Sequence, residues 1–141
     1  MQRRDTKQRR LVLQVVRERH DHPTADSIYD AVHARDGRVS RGTVYRNLHL
    51  LSEEGDVFHI RAPGADRYDL RTDPHDHIIC VRCKKVVDAP EALLPSRDDA
   101  VAAATGYRIL CHQTIYEGLC PDCQSGADAE TMPEPGPAQK R

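Results

Sequence analysis

An α+β fold, a winged helix-turn-helix followed by a small α/β unit, is what three observations predict for this chain. Its first third holds three stretches with apolar residues at helical spacing, each preceded by a Thr or Ser able to cap it. Two short β-like runs split by a Pro-Gly turn follow the third stretch. Beyond residue 71 the order becomes strand, strand, helix, strand, bracketed by two Cys-x-x-Cys pairs.

Thr6 caps a first helix carrying Leu11, Val12, Val15 and Val16, which ends in "RERHDHP" where Pro23 interrupts. Thr24 caps a second, "TADSIYDAVHAR", with Ile28, Ala31 and Val32 on one face. Ser40 opens a third, "SRGTVYRNLHLLSEEG", with Val44, Leu48 and Leu51 at i, i+4, i+7 and Gly55 as its stop. "DVFHIRAPGADRYDL" then supplies two strands turned at Pro63 and Gly64.

Helix, helix, helix, hairpin is the order of a winged helix, whose third helix enters the major groove while the wing lies on the backbone. The exposed face of that helix carries Arg41, Thr43, Tyr45, Arg46 and His49. Arg can pair with guanine edges or phosphate, and Tyr can contact phosphate or a thymine methyl. The same periodicity also describes a three-helix bundle with a solvated polar face.

In the second half "HIICV" and "KKVVD" read as strands, and "PEALLPSRDDAVAAATG" contains a helix capped by Ser96 and stopped by Gly106. "YRILCHQTIYEGLC" alternates and reads as β-rich. The expected division is 1–71 for the winged helix with its hinge, 72–123 for the second unit, and 124–141 for a polar, Pro/Gly-rich disordered tail.

Composition sets the bounds. With 141 residues, 38% hydrophobic, no Trp and one Phe, each core must be small and aliphatic. A net charge of −1 excludes a uniformly basic nucleic-acid binder, yet "MQRRDTKQRR" concentrates positive charge at one end while Asp128, Glu130 and Glu134 sit at the other. No apolar run approaches membrane-spanning length and no signal-peptide core precedes the first helix, so a cytoplasmic location is expected. A reducing compartment favours metal thiolates over disulfides for the five cysteines.

Cys80, Cys83, Cys120 and Cys123 form the two Cys-x-x-Cys pairs. Such a knuckle presents both thiolates on one side of a tight turn, and two knuckles complete a tetrahedral four-sulfur site. Zinc is the default metal, a redox pair or a disulfide the alternatives. Cys111 lies outside both pairs and is expected to be a free, partly buried thiol.

"PHDHIICVRCKKVVD" holds more candidate ligands than one tetrahedral site accepts. On a strand His75 and His77 face one way, and Asp76, Ile78 and Cys80 the other. Two sites are therefore expected. Flanked by Asp69 and Asp88, the histidines make a mixed nitrogen and oxygen set suited to Fe(II), Mn(II) or Zn(II). Without a closed thiolate shell, such a set can exchange its metal.

The run of "HPTADSIYDAV", "VSRGTVYRNLHLLSEEGDV", "RYDL", "HDHIICVRCKKVVD" and "IYEGLCPDC" resembles the ferric uptake regulator family over residues 6 to 123. The resemblance implies a homodimeric, metal-dependent transcriptional repressor, not an enzyme. It would bind AT-rich inverted-repeat DNA operators through the winged helix and pair through the α/β dimerisation domain. It places structural Zn(II) on Cys80, Cys83, Cys120 and Cys123, and regulatory Fe(II) or Mn(II) on His22, Asp69, His75, His77 and Asp88. His22 enters the ligand set only through this likeness.

Asp88 stands where iron sensors of the family commonly carry Glu, and so resembles the peroxide-sensing branch. There, Fe(II)-mediated oxidation of ligand histidines, here His22 and His75, releases DNA. An iron- or zinc-responsive repressor is the alternative on the same scaffold. Pro74 and Pro95 replace residues of an auxiliary metal site in some iron sensors, leaving it incomplete despite Asp76 and His112. The chain starts close to the first helix, so Arg3, Arg4, Lys7, Arg9 and Arg10 are expected to replace the backbone contacts of a longer extension. Two other classes differ in behaviour: a metalloenzyme would turn over, and a zinc-stapled interaction module would show no metal-dependent binding to duplex DNA.

Overall fold

A computed structural model of the chain describes residues 6–90 and 97–126. Its first three helices are α1 (Lys7–Arg17), α2 (Ala25–Arg35) and α3 (Arg41–Glu53). Each is capped as expected: Thr6 Oγ1 accepts from the Arg9 amide at 3.1 Å, Thr24 Oγ1 from Ser27 at 3.1 Å, and Ser40 Oγ from Thr43 at 3.2 Å. These bonds satisfy amides that the first helical turn leaves without a partner. Val12, Val15, Val16, Ile28, Val32, Val44, Leu48 and Leu51 fill the space between the helices, and Val39, Val57 and Tyr68 close it. The core is aliphatic, as a chain with one Phe requires. Gly55, at φ +80°, turns the chain out of α3 in a conformation that costs a Cβ-bearing residue more.

The wing follows as β1 (Phe58–Ile60) and β2 (Arg67–Asp69), antiparallel with Phe58 opposite Asp69. Two contacts fold it back onto the α1–α2 turn. The Tyr68 amide donates to the Pro23 carbonyl at 3.0 Å, and Thr24 bridges Arg67. Asp69 thereby arrives beside His22.

The second unit contains β3 (His77–Cys80), β4 (Val86–Asp88), α4 (Arg97–Thr105), β5 (Ile115–Gly118) and a short α5 (Pro121–Gln124). Its sheet runs β4-β3-β5, with β3 antiparallel to β4 and parallel to β5. Ile79, Cys80, Val86 and Ala89 form its small buried interior. Gly106, at φ +76°, ends α4 as expected.

Three expectations need correction. In "YRILCHQTIYEGLC" only Ile115–Gly118 joins a ladder. The alternation upstream is real, but a strand needs a neighbour, and residues 107–114 pair with no strand among the described residues; Tyr107 and Leu110 stand 74% and 83% exposed. Cys111 is exposed, not partly buried, because it lies in that unpaired stretch. His75 lies outside β3, which starts at His77, so a shared strand face is not what aligns the two histidines. The helix α5, with Pro121 at its first turn, was not expected. Residues 1–5, 91–96 and 127–141, which include Arg3, Arg4, Ser96, Pro95 and most of the expected tail, lie outside the described residues.

Candidate metal centres

The four paired cysteines converge. One sulfur from each of Cys80, Cys83, Cys120 and Cys123 lies within 4.8 Å of every other, and Cys83 Sγ is 3.8 Å from Cys120 Sγ. A tetrahedron with metal–sulfur bonds of about 2.3 Å has edges of about 3.8 Å, so the spacing fits zinc. Backbone bonds build the two knuckles. The Lys84 amide donates to the Cys80 carbonyl at 2.9 Å, with Lys84 at φ +65°, and the Gln124 amide donates to the Cys120 carbonyl at 3.0 Å. Arg82 Nη1 donates to the Cys123 carbonyl at 2.8 Å and ties one knuckle to the other.

The thiols do not share charge evenly. Backbone N–H groups of Cys120 and Cys83 aimed at its sulfur lower the Cys80 thiol to about 5. The neighbouring sulfurs, Cys120 foremost, push the Cys123 thiol up to about 12. Four thiolates this close repel one another unless a divalent cation lies between them.

The second cluster joins the two halves of the chain. One donor atom from each of His22, Asp69, His77 and Asp88 lies within 4.8 Å of the others. Asp69 Oδ2 is 3.2 Å from His22 Nε2, 2.9 Å from His75 Nε2 and 3.4 Å from His77 Nε2. Asp88 Oδ1 is 2.7, 3.3 and 3.5 Å from the same three nitrogens. Bonds of about 2.1 Å at right angles separate adjacent donors by about 3.0 Å, so these six spacings suit one first-row cation. All five residues expected at this site are brought together.

Each donor has its own local cause. His22 sits in the α1–α2 turn at φ +51°, and Arg67 Nη1 donates to its carbonyl at 3.2 Å. Asp69 ends β2, and the Arg71 amide donates to its Oδ1 at 3.0 Å. His77 and Asp88 face each other across the β3–β4 ladder. His75 Nδ1 lies 2.6 Å from the Asp73 carbonyl. A carbonyl only accepts, so Nδ1 donates to it and Nε2 turns toward two carboxylate oxygens. Three imidazole nitrogens gathered around two carboxylates are the donor set of a first-row cation, and that is the strongest sign that a metal fits here.

Electrostatics agree. Burial raises the Asp69 pKa, but hydrogen bonds from His22, His77 and the Arg71 amide outweigh it and hold the carboxyl well below the usual carboxylate range. Burial lowers the His22 pKa, yet Asp69 and Asp88 overcome it and raise the imidazole above its ordinary value. Phe58 of β1 covers one side, its ring centroid 5.3 Å from His75 and 5.8 Å from His77. On another side a cavity of about 550 Å³, lined by His20, Asp21, His22, Lys85, Val86, Val87 and Asp88, reaches two of the donors. Sequence reasoning missed Phe58, Arg67 and Arg71. Only the first had a visible signal, as the chain's single Phe on an alternating strand.

His112 pairs with Asp98 and does not join Asp76, so no third cluster of three potential ligands forms among the described residues. On α3, Arg46 and His49 are exposed, while Thr43 is half-buried beside Ser40. Arg41 pairs with Asp26 and lies 4.4 Å over the Tyr29 ring, and Tyr45 donates to the same Asp26 oxygen at 2.5 Å. Arg9 is engaged by Glu54 and Asp56. No helix among the described residues is long and apolar enough to cross a membrane.

The sequence profile of the ferric uptake regulator family matches residues 1–116. The peroxide-responsive repressor PerR of Staphylococcus saprophyticus is 34% identical over 122 residues, 86% of this chain and 82% of that protein. The Helicobacter pylori ferric uptake regulator Fur, whose structure shows three functional metal-binding sites, superposes with a TM-score of 0.74 at 25% identity, covering 88% of this chain and 84% of that one. The Campylobacter jejuni peroxide stress regulator superposes with a TM-score of 0.69 at 28% identity, covering 82% of this chain and 88% of that one.

Proposed function

The chain belongs to the ferric uptake regulator family, a family of metal-responsive transcription regulators and not enzymes, and from that premise we propose that it is a cytoplasmic, peroxide-sensing repressor. Its regulatory ligands are His22, Asp69, His75, His77 and Asp88, and its structural zinc ligands are Cys80, Cys83, Cys120 and Cys123. The observation that carries this reading is the convergence of five donors from both halves of the chain, His22 and Asp69 from one and His75, His77 and Asp88 from the other. A cation bound there joins the winged helix to the second unit. Its binding free energy then favours one relative orientation of the two, which sets the spacing of the α3 helices in a homodimer. Arg41, Thr43, Tyr45 and Arg46 of α3 contact an AT-rich inverted repeat in that orientation.

Peroxide sensing is supported by the carboxylate at Asp88, by likeness to a peroxide-responsive repressor, and by the cavity that reaches His22 and Asp88. Ferrous iron held by these residues would activate peroxide for O–O cleavage; in net terms peroxide would oxidise an imidazole by two electrons, with one oxygen entering a ring C–H bond and one water leaving. Asp69 and Asp88 hold the rings of His22 and His75 at the reacting position, and Phe58 screens His75 from bulk water. Oxygen added to either ring removes a donor and releases the clasp.

Anaerobic loading with Fe(II) or Mn(II), brief exposure to dilute peroxide and peptide mass spectrometry test this directly. One added oxygen on the His22 or His75 peptide, with iron and not with manganese, is the expected result. Unmodified peptides in a protein whose DNA binding still follows metal would instead make it a reader of metal supply.

A further inference from the structure

We propose that Arg71 is a positioning residue that keeps both carboxylates of the His/Asp site one-oxygen donors, so that the site offers five protein atoms to a cation and keeps room for a small exogenous ligand. The proposal rests on reading that cluster as the regulatory metal site. Each carboxylate there presents one oxygen to the histidines, Oδ2 of Asp69 and Oδ1 of Asp88. The two oxygens turned away answer to a single residue. Asp69 Oδ1 accepts from the Arg71 amide at 3.0 Å, and Asp88 Oδ2 lies 3.7 Å from Arg71 Nη1.

The guanidinium is itself held. Its Nε donates to Asp73 Oδ1 and Oδ2 at 2.8 and 3.0 Å, and its Nη2 donates to Asp73 Oδ2 at 2.6 Å. A planar fork fixed along that edge leaves Nη1 as the arm directed at Asp88. Since the Asp73 carbonyl also accepts from His75 Nδ1, the segment from Arg71 to His75 orients three of the five donors. Partners of this kind orient the ligands, and losing one typically costs about 10- to 100-fold in metal affinity. A carboxylate whose second oxygen is held by a hydrogen bond, as in Asp69, or drawn toward a cation, as in Asp88, favours binding through the first. Released, it can swing to chelate with both and close the remaining position.

The test uses the zinc-loaded protein with Co(II) as an optical probe, because a five-coordinate Co(II) ion absorbs visible light several-fold more strongly than a six-coordinate one. Arg71→Gln removes the guanidinium and leaves the amide, so only Asp88 is released. Its Co(II) spectrum should lose several-fold in intensity, and Arg71→Lys, which keeps the charge, should restore part of it. Asp73→Asn frees the fork without touching a donor and should give the same loss, which covers the case of an unfolded Arg71 variant. A wild-type spectrum in Arg71→Gln or in folded Asp73→Asn, or a weak six-coordinate spectrum in the wild type, overturns the proposal. If His77→Ala leaves Co(II) binding unchanged, the reading of the cluster as a metal site fails instead.

Discussion

Among single residues, His22 shows what a local reading of the chain misses. Nothing in "HDHP" marks it as a ligand. It joins the His/Asp cluster because the wing pairs Arg67 with Thr24 and brings Asp69 alongside, so that His22 Nε2 lies between two carboxylates at 3.2 and 2.7 Å. Those carboxylates raise its pKa above the ordinary imidazole value of about 6.5. In the metal-free chain the resulting stabilisation is complete below that value and is lost as pH rises through the raised pKa. Metal must displace the same proton. Mn(II) affinity, measured by calorimetry from about pH 6 to 8.5, should therefore rise by up to about tenfold per pH unit and level off above the His22 pKa. A flat profile would show that His22 is not a ligand.

At the level of elements, most boundaries were legible because helices and their caps are written locally. Thr6, Thr24 and Ser40 each cap where the residue type and the following apolar spacing require. Strands were less legible, since alternation shows what can pair and not what does; "YRILCHQT" alternates and stays unpaired. The exposed face of α3 was foreseen, but its ties to Asp26 were not. With Arg41 and Tyr45 both on Asp26, Arg46 is, of the two exposed arginines among the expected four, the one proposed to make the most direct phosphate contact. Arg46→Ala should weaken operator binding at every sequence alike and reduce the slope of log K against log salt by about 1. Binding measured over a range of salt concentrations checks this, and an unchanged slope would remove Arg46 from the interface.

For the whole molecule, the two metal clusters act on different parts of the chain. The core of α1, α2 and α3 is closed by its own aliphatic residues, whereas among the described residues of the second unit only His77, Ile79, Cys80, Val86 and Ala89 are buried. A sheet with so small an interior needs its sulfur clasp, which in structural zinc sites is worth on the order of 10 kcal/mol. Chelating the zinc, or replacing Cys83 with Ser, should unravel β3, β4 and β5 and with them the contributions of His77 and Asp88. The α1–α3 core should keep its amide protection. Hydrogen exchange followed by mass spectrometry separates the two, and equal loss in both halves would make zinc a determinant of the entire fold. By itself the sequence determined α1, α2 and α3 with their caps, the wing and the four-cysteine site, because spacing along the chain encodes each of them. The resemblance implied the set of Asp69, Asp88 and three histidines; only the tertiary structure decided how they meet, with Arg71 and Phe58 around them. Residues 66 positions apart, such as His22 and Asp88, meet through strand pairing and hydrogen bonds, which no local pattern records.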